Sequence, residues 1–425
     1  MEIYVVQQGD NINSIARKYG ISPVRLITDN GISSPYSLAV GQTLVIAKPS
    51  MEYTVKDGDT LEGIAETFQV TVMQLLRNNP KLADRQYIYP GETLVISYDN
   101  TQGNLVIAGY AFPYISDVIL RKTLPYLTYL VIFNYRVTRN GELIGSDEDI
   151  AAIETAKAYG VRSTLLVTVY SETGEADIPT IYEILLNTQL QNTIINNLLD
   201  ILSEKGYTGV SLSFQFIDKS NQQLYLDYLT NVANALHPAG YSVFVTLNPG
   251  ISSNGTDSTF ESLDYAAFAA IADGLLFLSF NWGYVEKPPI EYSIISFSNF
   301  LDYITSQIPL EKIRISIPTI AYDWQLPYVE GQSKANALNF SSAISLAVQT
   351  NSVIHYDEAS LAAYFEYTDL LGNQHIVWLK DARSIDSSIK ILQSYGIEGI
   401  GVWTIMYYFD QMWLVINTQY QIKKL

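Results

Sequence analysis

From residue 105 onward, eight short apolar runs recur with helical stretches between them, and that rhythm limits the folds open to most of the chain. The runs are "LVIAGYA" (105–111), "YLVIFNY" (129–135), "STLLVTVY" (163–170), "GVSLSFQF" (209–216), "YSVFVTL" (241–247), "GLLFLSFNW" (274–282), "KIRISIPTI" (312–320) and "EGIGVWTI" (398–405). Amphipathic stretches at 180–204, 221–236, 293–307 and 334–350 separate several of them. Near-continuous apolar strands alternating with helices predict a parallel sheet covered by helices, and eight repeats predict closure into a (β/α)8 barrel. One connection, 351–380, is too long for a simple crossover. Its "DLLGNQ" reads as a hairpin turn, so a small α+β lobe is expected between the seventh and eighth strands.

The first hundred residues follow a different rule. "YVVQQGDNINSIARKYGISPVRLITDNGI…LAVGQTLVI" (4–46) aligns with "YTVKDGDTLEGIAETFQVTVMQLLRNNPK…IYPGETLVI" (53–96). Each copy reads strand, helix, helix, strand. Ile12, Ile15, Ala16 and Tyr19 fall at helical spacing, as do Leu61, Ile64, Ala65 and Phe68. The chain therefore divides into modules at 1–49 and 50–97 and a barrel at 98–425, with the polar "SYDNTQGN" (97–104) as linker.

Charge and composition exclude several function classes. The 25 basic residues against 43 acidic ones give a net charge of −18, which opposes binding to nucleic acid or to anionic membranes. There is no cysteine, so thiol nucleophiles and thiolate metal sites are excluded. His237, His355 and His375 lack ligand spacing; no metal and no cofactor is expected, and His237 reads as a helix-end residue. The N-terminus "MEIYVVQQGD" has neither the basic nor the apolar region of a secretory signal, and no apolar run is long enough to insert in a membrane. The 32 tyrosines and 5 tryptophans supply aromatic faces on which sugar rings can stack.

The "GD(T)L..IA" and "PG(E/Q)TL.I" patterns make the two repeats resemble LysM modules, which bind N-acetylglucosamine units of peptidoglycan and chitin. The resemblance implies a shallow sugar groove between the loop after the first strand and the loop after the second helix. In the first module this points to Gly9, Asp10, Asn11 and Ile12 with Asn30, Gly31 and Ile32; in the second, to Gly58, Asp59, Thr60 and Leu61 with Asn79 and Pro80. Asp10 and Asp59 can also serve as helix caps.

Beyond the linker, "PYLTYLVIFNYRV", "GYTGV", "LHPAGY", "IADGLLFLSFNWGY", "IPTIAYDWQLPYV", "WLKDARSI" and "GVW" occur in the order found in glycoside hydrolase family 18. The resemblance is to its branch of spore-cortex N-acetylglucosaminidases. That family's fourth strand carries D-G-x-D-x-D-x-E, its earlier acids variable in this branch. The final Glu protonates the glycosidic oxygen, and the Asp before it steadies the substrate's 2-acetamido group. Here those positions fall on Thr208, Gly209, Ser211, Ser213 and Gln215. On the sixth strand Phe280 and Asn281 stand where members usually carry a Tyr and an acid.

An amide cannot supply the proton, and a serine hydroxyl cannot support a developing oxazolinium charge. Asp218, Glu172, Glu175 and Asp323 are the nearby acids that could substitute. The aromatic positions, by contrast, are kept: Trp403, Trp324, Trp282, Tyr322 and Tyr110, with Asp323 beside them, match sugar-facing positions of the family, and Phe133 reads as packing. The expectation is a non-catalytic binder of peptidoglycan or chitin-like glycans, associated with the spore coat, cortex or cell wall and with neighbouring spore-layer proteins. An active glycosidase with a relocated acid and a purely structural coat protein are the alternatives.

Overall fold

The computed structural model describes residues 1–83, 85, 87–99, 102–171, 176–254, 257–278, 293–329 and 332–425. Eight parallel strands close into a barrel: Gly103–Ala111, Tyr129–Val137, Arg162–Thr168, Gly209–Phe214, Ser242–Leu247, Gly274–Phe277, Ile313–Pro318 and Gly399–Trp403. Closure comes from the first strand, which pairs with both the second and the eighth. Each strand buries both faces, one against helices and one inside the barrel, which is why the runs read as continuously apolar. The helical stretch at 180–204 is two helices, Ile178–Leu186 and Thr188–Lys205, with Asn187 capping the second. His237 ends the helix Gln222–Leu236, as its sequence position implies, and its ring sits 3.1 Å from Asp273.

The lobe is larger than the 351–380 expected. It is a five-stranded sheet made of Ile320–Gln325, Asn336–Asn339, His355–Asp357, Ala362–Thr368 and Gln374–Leu379, with helix Phe340–Gln349 in its chain. Its first strand begins one residue after Thr319, so the sequence gives no break between barrel and lobe. The expected hairpin is present: Asp369 N–H donates to Asn373 O at 2.9 Å.

In each repeat the outer strands pair antiparallel, Glu2–Val5 with Thr43–Ile46 and Met51–Thr54 with Thr93–Ser97, over separate small cores. Asn11 and Thr60 cap the first helices. Asp10 and Asp59 do something else. Each accepts a backbone N–H from the turn before it (Gln7 at 2.8 Å, Lys56 at 2.7 Å) and a tyrosine hydroxyl (Tyr4 at 2.6 Å, Tyr53 at 2.8 Å). Those donors hold both carboxyls below the ordinary aspartate range.

Both modules are docked on the barrel, not strung from it. The C-terminal helix Asp410–Gln419 is the shared surface, and every residue from Gln411 to Gln419 is buried. Gln411 Nε2 donates to Thr43 O at 2.6 Å, and Thr43 Oγ1 donates to Gln411 Oε1 at 2.9 Å. Arg77 Nε donates to Asn417 Oδ1 at 2.7 Å, and the Tyr126 hydroxyl donates to Arg77 O at 2.7 Å. Ile354 N–H donates to Val40 O at 2.8 Å.

Gly41 sets the tightest point of this seam. Its φ of +86° lies in the left-handed region, and a Cβ there would lie 1.9 Å from Ile354 O. The equivalent turn glycine of the second module, Gly91, has φ +88° with nothing within 4 Å of a Cβ. Both alanine variants should suffer the conformational cost of roughly 1 kcal/mol. Gly41→Ala should lose on the order of 2 kcal/mol more, because backbone blocks the methyl group. Urea unfolding of the pair checks this; equal losses would mean that the seam adds nothing to stability.

Candidate functional site

Strand alternation decides what the fourth strand presents to the barrel interior. Val210, Leu212 and Phe214 face the helices; the Phe214 ring lies 4.9 Å from that of Tyr225 and 6.3 Å from that of Phe268. Ser211, Ser213 and Gln215 therefore share the inward face. Ser211 Oγ sits 3.4 Å from Thr246 Oγ1 and beside the Tyr110 hydroxyl, whose pKa burial pushes up to about 12. Ser213 and Gln215 lie one and two steps nearer the mouth and are half-buried.

Gln215 Oε1 is buried without a hydrogen-bond partner among the described residues, although the Tyr170 hydroxyl lies beside the same side chain. A buried acceptor left unsatisfied costs about 1–3 kcal/mol, so a donor from a ligand would be taken up favourably there.

The acids offered as substitutes are engaged elsewhere. Asp218 lies on the exposed loop after the strand, where its Oδ1 accepts from Ser220 N at 2.7 Å, Ser220 Oγ at 2.6 Å and Asn221 N at 3.2 Å. Those bonds hold its carboxyl below the usual range, so it stays ionised and is no proton donor near neutrality. Asp323 is buried in the lobe and both oxygens are occupied: Tyr367 Oη donates to one at 2.9 Å, and His375 Nδ1 lies 2.9 Å from the other. Neither aspartate is free to take over the role of an acid. Glu172, Glu175, Phe280, Asn281 and Trp282 lie outside the described residues.

The aromatic positions separate into two groups. Trp324 is fully buried in the lobe against Tyr328 and Ala335, and Tyr322 is buried in the same cluster, which corrects their assignment as sugar-facing surfaces. The lobe sheet needs an apolar centre, and these side chains supply it. Trp403 ends the eighth strand, as expected, but only 5% of it is exposed; Tyr110 and Phe133 pack on it at 4.9 and 4.5 Å. It is the base of an aromatic series and not an open platform.

That series reaches the rim through residues the sequence reading did not single out. Phe112 stacks on Phe133 at 4.6 Å and 15°, and Tyr114 stacks on Phe112 at 5.4 Å and 13°. Tyr114 and Tyr407, 66% and 62% exposed, line a groove of about 610 Å³ between the barrel rim and the lobe, with Asn339 and Ser342 on its lobe side. The available signal was the run of aromatics just past two strand ends, "AFPY" and "MYYF".

In the LysM-like modules the first loops, Gly9 to Asn11 and Gly58 to Thr60, lie mostly open to solvent, with Ile12 buried and Leu61 half-buried behind them. Gly9 and Gly58 have φ of +87° and +83° and so form the turn. The second loops do not fit the sugar-contact expectation. Asn30 is buried, its amide donating to Leu26 O and Val45 O and accepting from Val45 N; Asn79 repeats this with Leu75 and Val95. Both asparagines are latches that tie helix to strand. Gly31 lies against Asp410 of the barrel, Ile32 packs on the module core, and Pro80 lies on the seam. Among the described residues there is no cluster suited to a metal ion and no helix long and apolar enough to cross a membrane.

Comparison with known proteins finds two kinds of domain. The LysM domain model matches residues 4–47 and 53–97, and the model for glycosyl hydrolases family 18 matches 95–407. The cortical fragment-lytic enzyme of Bacillus anthracis is 31% identical, over 100% of this chain and 99% of its own. The putative sporulation-specific glycosylase YdhD of Bacillus subtilis is 28% identical, over 95% of each. The crystal structure of the Bacillus cereus spore cortex-lytic enzyme SleL superimposes with a TM-score of 0.80 at 30% identity, covering 100% of this chain and 99% of that one.

Proposed function

The chain belongs to glycosyl hydrolases family 18 and carries two LysM domains; from that premise we propose that it binds N-acetylglucosamine glycans of the peptidoglycan or chitin type without cleaving them. The observation that carries the proposal is the inward end of the fourth strand. Ser213 and Gln215 offer a hydroxyl and an amide whose buried acceptor has no partner among the described residues, where glycosidic cleavage needs a carboxylic acid. The pair can hold a sugar's acetamido N–H or hydroxyl; it cannot deliver a proton.

The LysM domains supply attachment to the wall through their exposed first loops, and two weak sites held on one rigid unit raise apparent affinity. The barrel adds a cleft whose ring-stacking surface is Tyr114 and Tyr407, backed by Phe112, Phe133 and Trp403. The names of the relatives support the spore cortex as the setting; spore-layer proteins as neighbours are part of the proposal alone.

A second reading, hydrolysis of cortical glycan, is favoured by the end-to-end similarity to proteins named as lytic enzymes. It requires a proton donor other than Asp218 or Asp323.

Sugar binding by the barrel is tested at its exposed rim, where substitutions leave the core intact. Titration with an N-acetylglucosamine oligomer should give a Kd on the order of 10⁻⁴–10⁻³ M. Tyr114→Ala and Tyr407→Ala should each weaken the barrel's component about tenfold, because a stacked aromatic contact is worth roughly 1 kcal/mol or more. Unchanged affinity in both variants would remove the barrel from the binding account and leave it a structural element.

A further inference from the structure

Where the two LysM domains meet the barrel there is a cavity of about 800 Å³ that the glycan reading does not use. Its walls come from the helix ends of the first domain, the loop after the second helix of the second domain, and the start of the C-terminal helix. Most of its charges are already matched. Arg25 pairs with Asp29 at 3.1 Å and also with Glu52; Lys81 lies 3.7 Å from Glu92; Lys48 is exposed to solvent.

Two charges are not matched. Arg77 is 4% exposed and has no carboxylate within ion-pair distance among the described residues; Asn417 takes only its Nε–H. Burial pulls its pKa down to about 10. Asp410 leans on Gly31 and likewise has no ion-pair partner among the described residues. Burial pushes its carboxyl up to about 6, against the weaker pull of Lys122.

These two groups stand apart. Asp410 opens the C-terminal helix, while Arg77 is bonded to Asn417, seven residues and about 10 Å further along the same helix. The Tyr126 hydroxyl meets that of Tyr408 at 3.1 Å between them.

Uncompensated charges set in a protein interior are costly, and they are compensated by opposite charges that arrive with hydrogen bonds. A neutral sugar brings neither charge. A single anion would relieve Arg77 and worsen Asp410; a single cation would do the reverse. A ligand with a carboxylate at one end and an ammonium at the other serves both. The separation of the two groups calls for more than one amino acid, since each extended residue spans only about 3.5 Å. The volume lies within the usual range for small-ligand sites of roughly 300–1,000 Å³.

We propose that this junction binds a short peptide with both ends free, its carboxylate on Arg77 and its ammonium on Asp410. The site exists only while both LysM domains are docked, so occupancy would also hold the three parts together. The inference is independent of whether the barrel cleaves or merely binds glycan.

Calorimetric titration of the full chain with trialanine at neutral pH tests it, alongside N-acetylated and C-amidated trialanine. The free peptide should bind with a Kd on the order of 10⁻⁴ M, and each blocked form should bind at least about tenfold more weakly. Asp410→Asn should weaken the free peptide by a similar factor while leaving the N-acetylated form unchanged. Because the blocked peptides are compared on the unaltered protein, that comparison does not depend on how a variant folds. No saturable heat from trialanine at about 10 mM, or equal binding of all three forms, would overturn the proposal.

Discussion

Incubated with cortical glycan fragments or chitooligosaccharides, the full-length protein should release no more reducing ends than buffer, and Ser213→Asp combined with Gln215→Glu should raise turnover. The expected gain follows from the two functions restored. A positioned general acid is worth roughly 10²–10⁴ in rate. Electrostatic support for the developing charge adds on the order of 10²–10³. The strand is already in the register required: Ser211, Ser213 and Gln215 share the inward face, and Val210, Leu212 and Phe214 fix that face by packing outward. The new Glu would take the place of an amide whose Oε1 is buried without a partner among the described residues, so burial should raise its pKa and keep it protonated longer than a surface carboxylate. The single variant Gln215→Glu should recover less, since Ser213 still offers no charge. Clear turnover by the unaltered protein would contradict the reading.

Removing residues 1–97 should do more than abolish retention on peptidoglycan. The C-terminal helix is covered by the LysM domains along one side, and truncation would expose the polar pairs centred on Gln411 and Asn417 together with apolar surface around Leu414. Exposed apolar area costs about 25 cal/mol per Å², and several side chains are involved, so a loss of several kcal/mol is expected. The truncated barrel should unfold at least about 5 °C lower than the full chain or aggregate. For that reason a pull-down with the truncated chain does not isolate the LysM contribution. Substitutions on the exposed first loops, Asn11 and Thr60 among them, keep the seam. A truncated barrel as stable as the intact protein would show that the docked arrangement contributes no folding energy.

The barrel was legible in the sequence because buried strands declare themselves: each of the eight apolar runs contains its strand or lies within two residues of it. Trp324 illustrates where such reading stops. An aromatic residue at a strand end packs as readily into a lobe core as over a cleft, and only the pairing of Ile320–Gln325 with Gln374–Leu379 decides between them. Asn30 and Asn79 are similar, since an amide that latches helix to strand looks the same in sequence as one that meets a sugar. The seam left no local signal. Thr43 with Gln411 and Arg77 with Asn417 join residues more than three hundred positions apart, and Gly41 reads as an ordinary turn glycine until Ile354 is found against it.

Binding without cleavage is tested most directly by one titration in which the ligand is recovered. The full chain is titrated with N-acetylglucosamine hexamer in a calorimeter, and the cell contents are then analysed by mass spectrometry after prolonged incubation. Saturable heat with the hexamer recovered whole is the result this account predicts; shorter oligomers accumulating with time would contradict it.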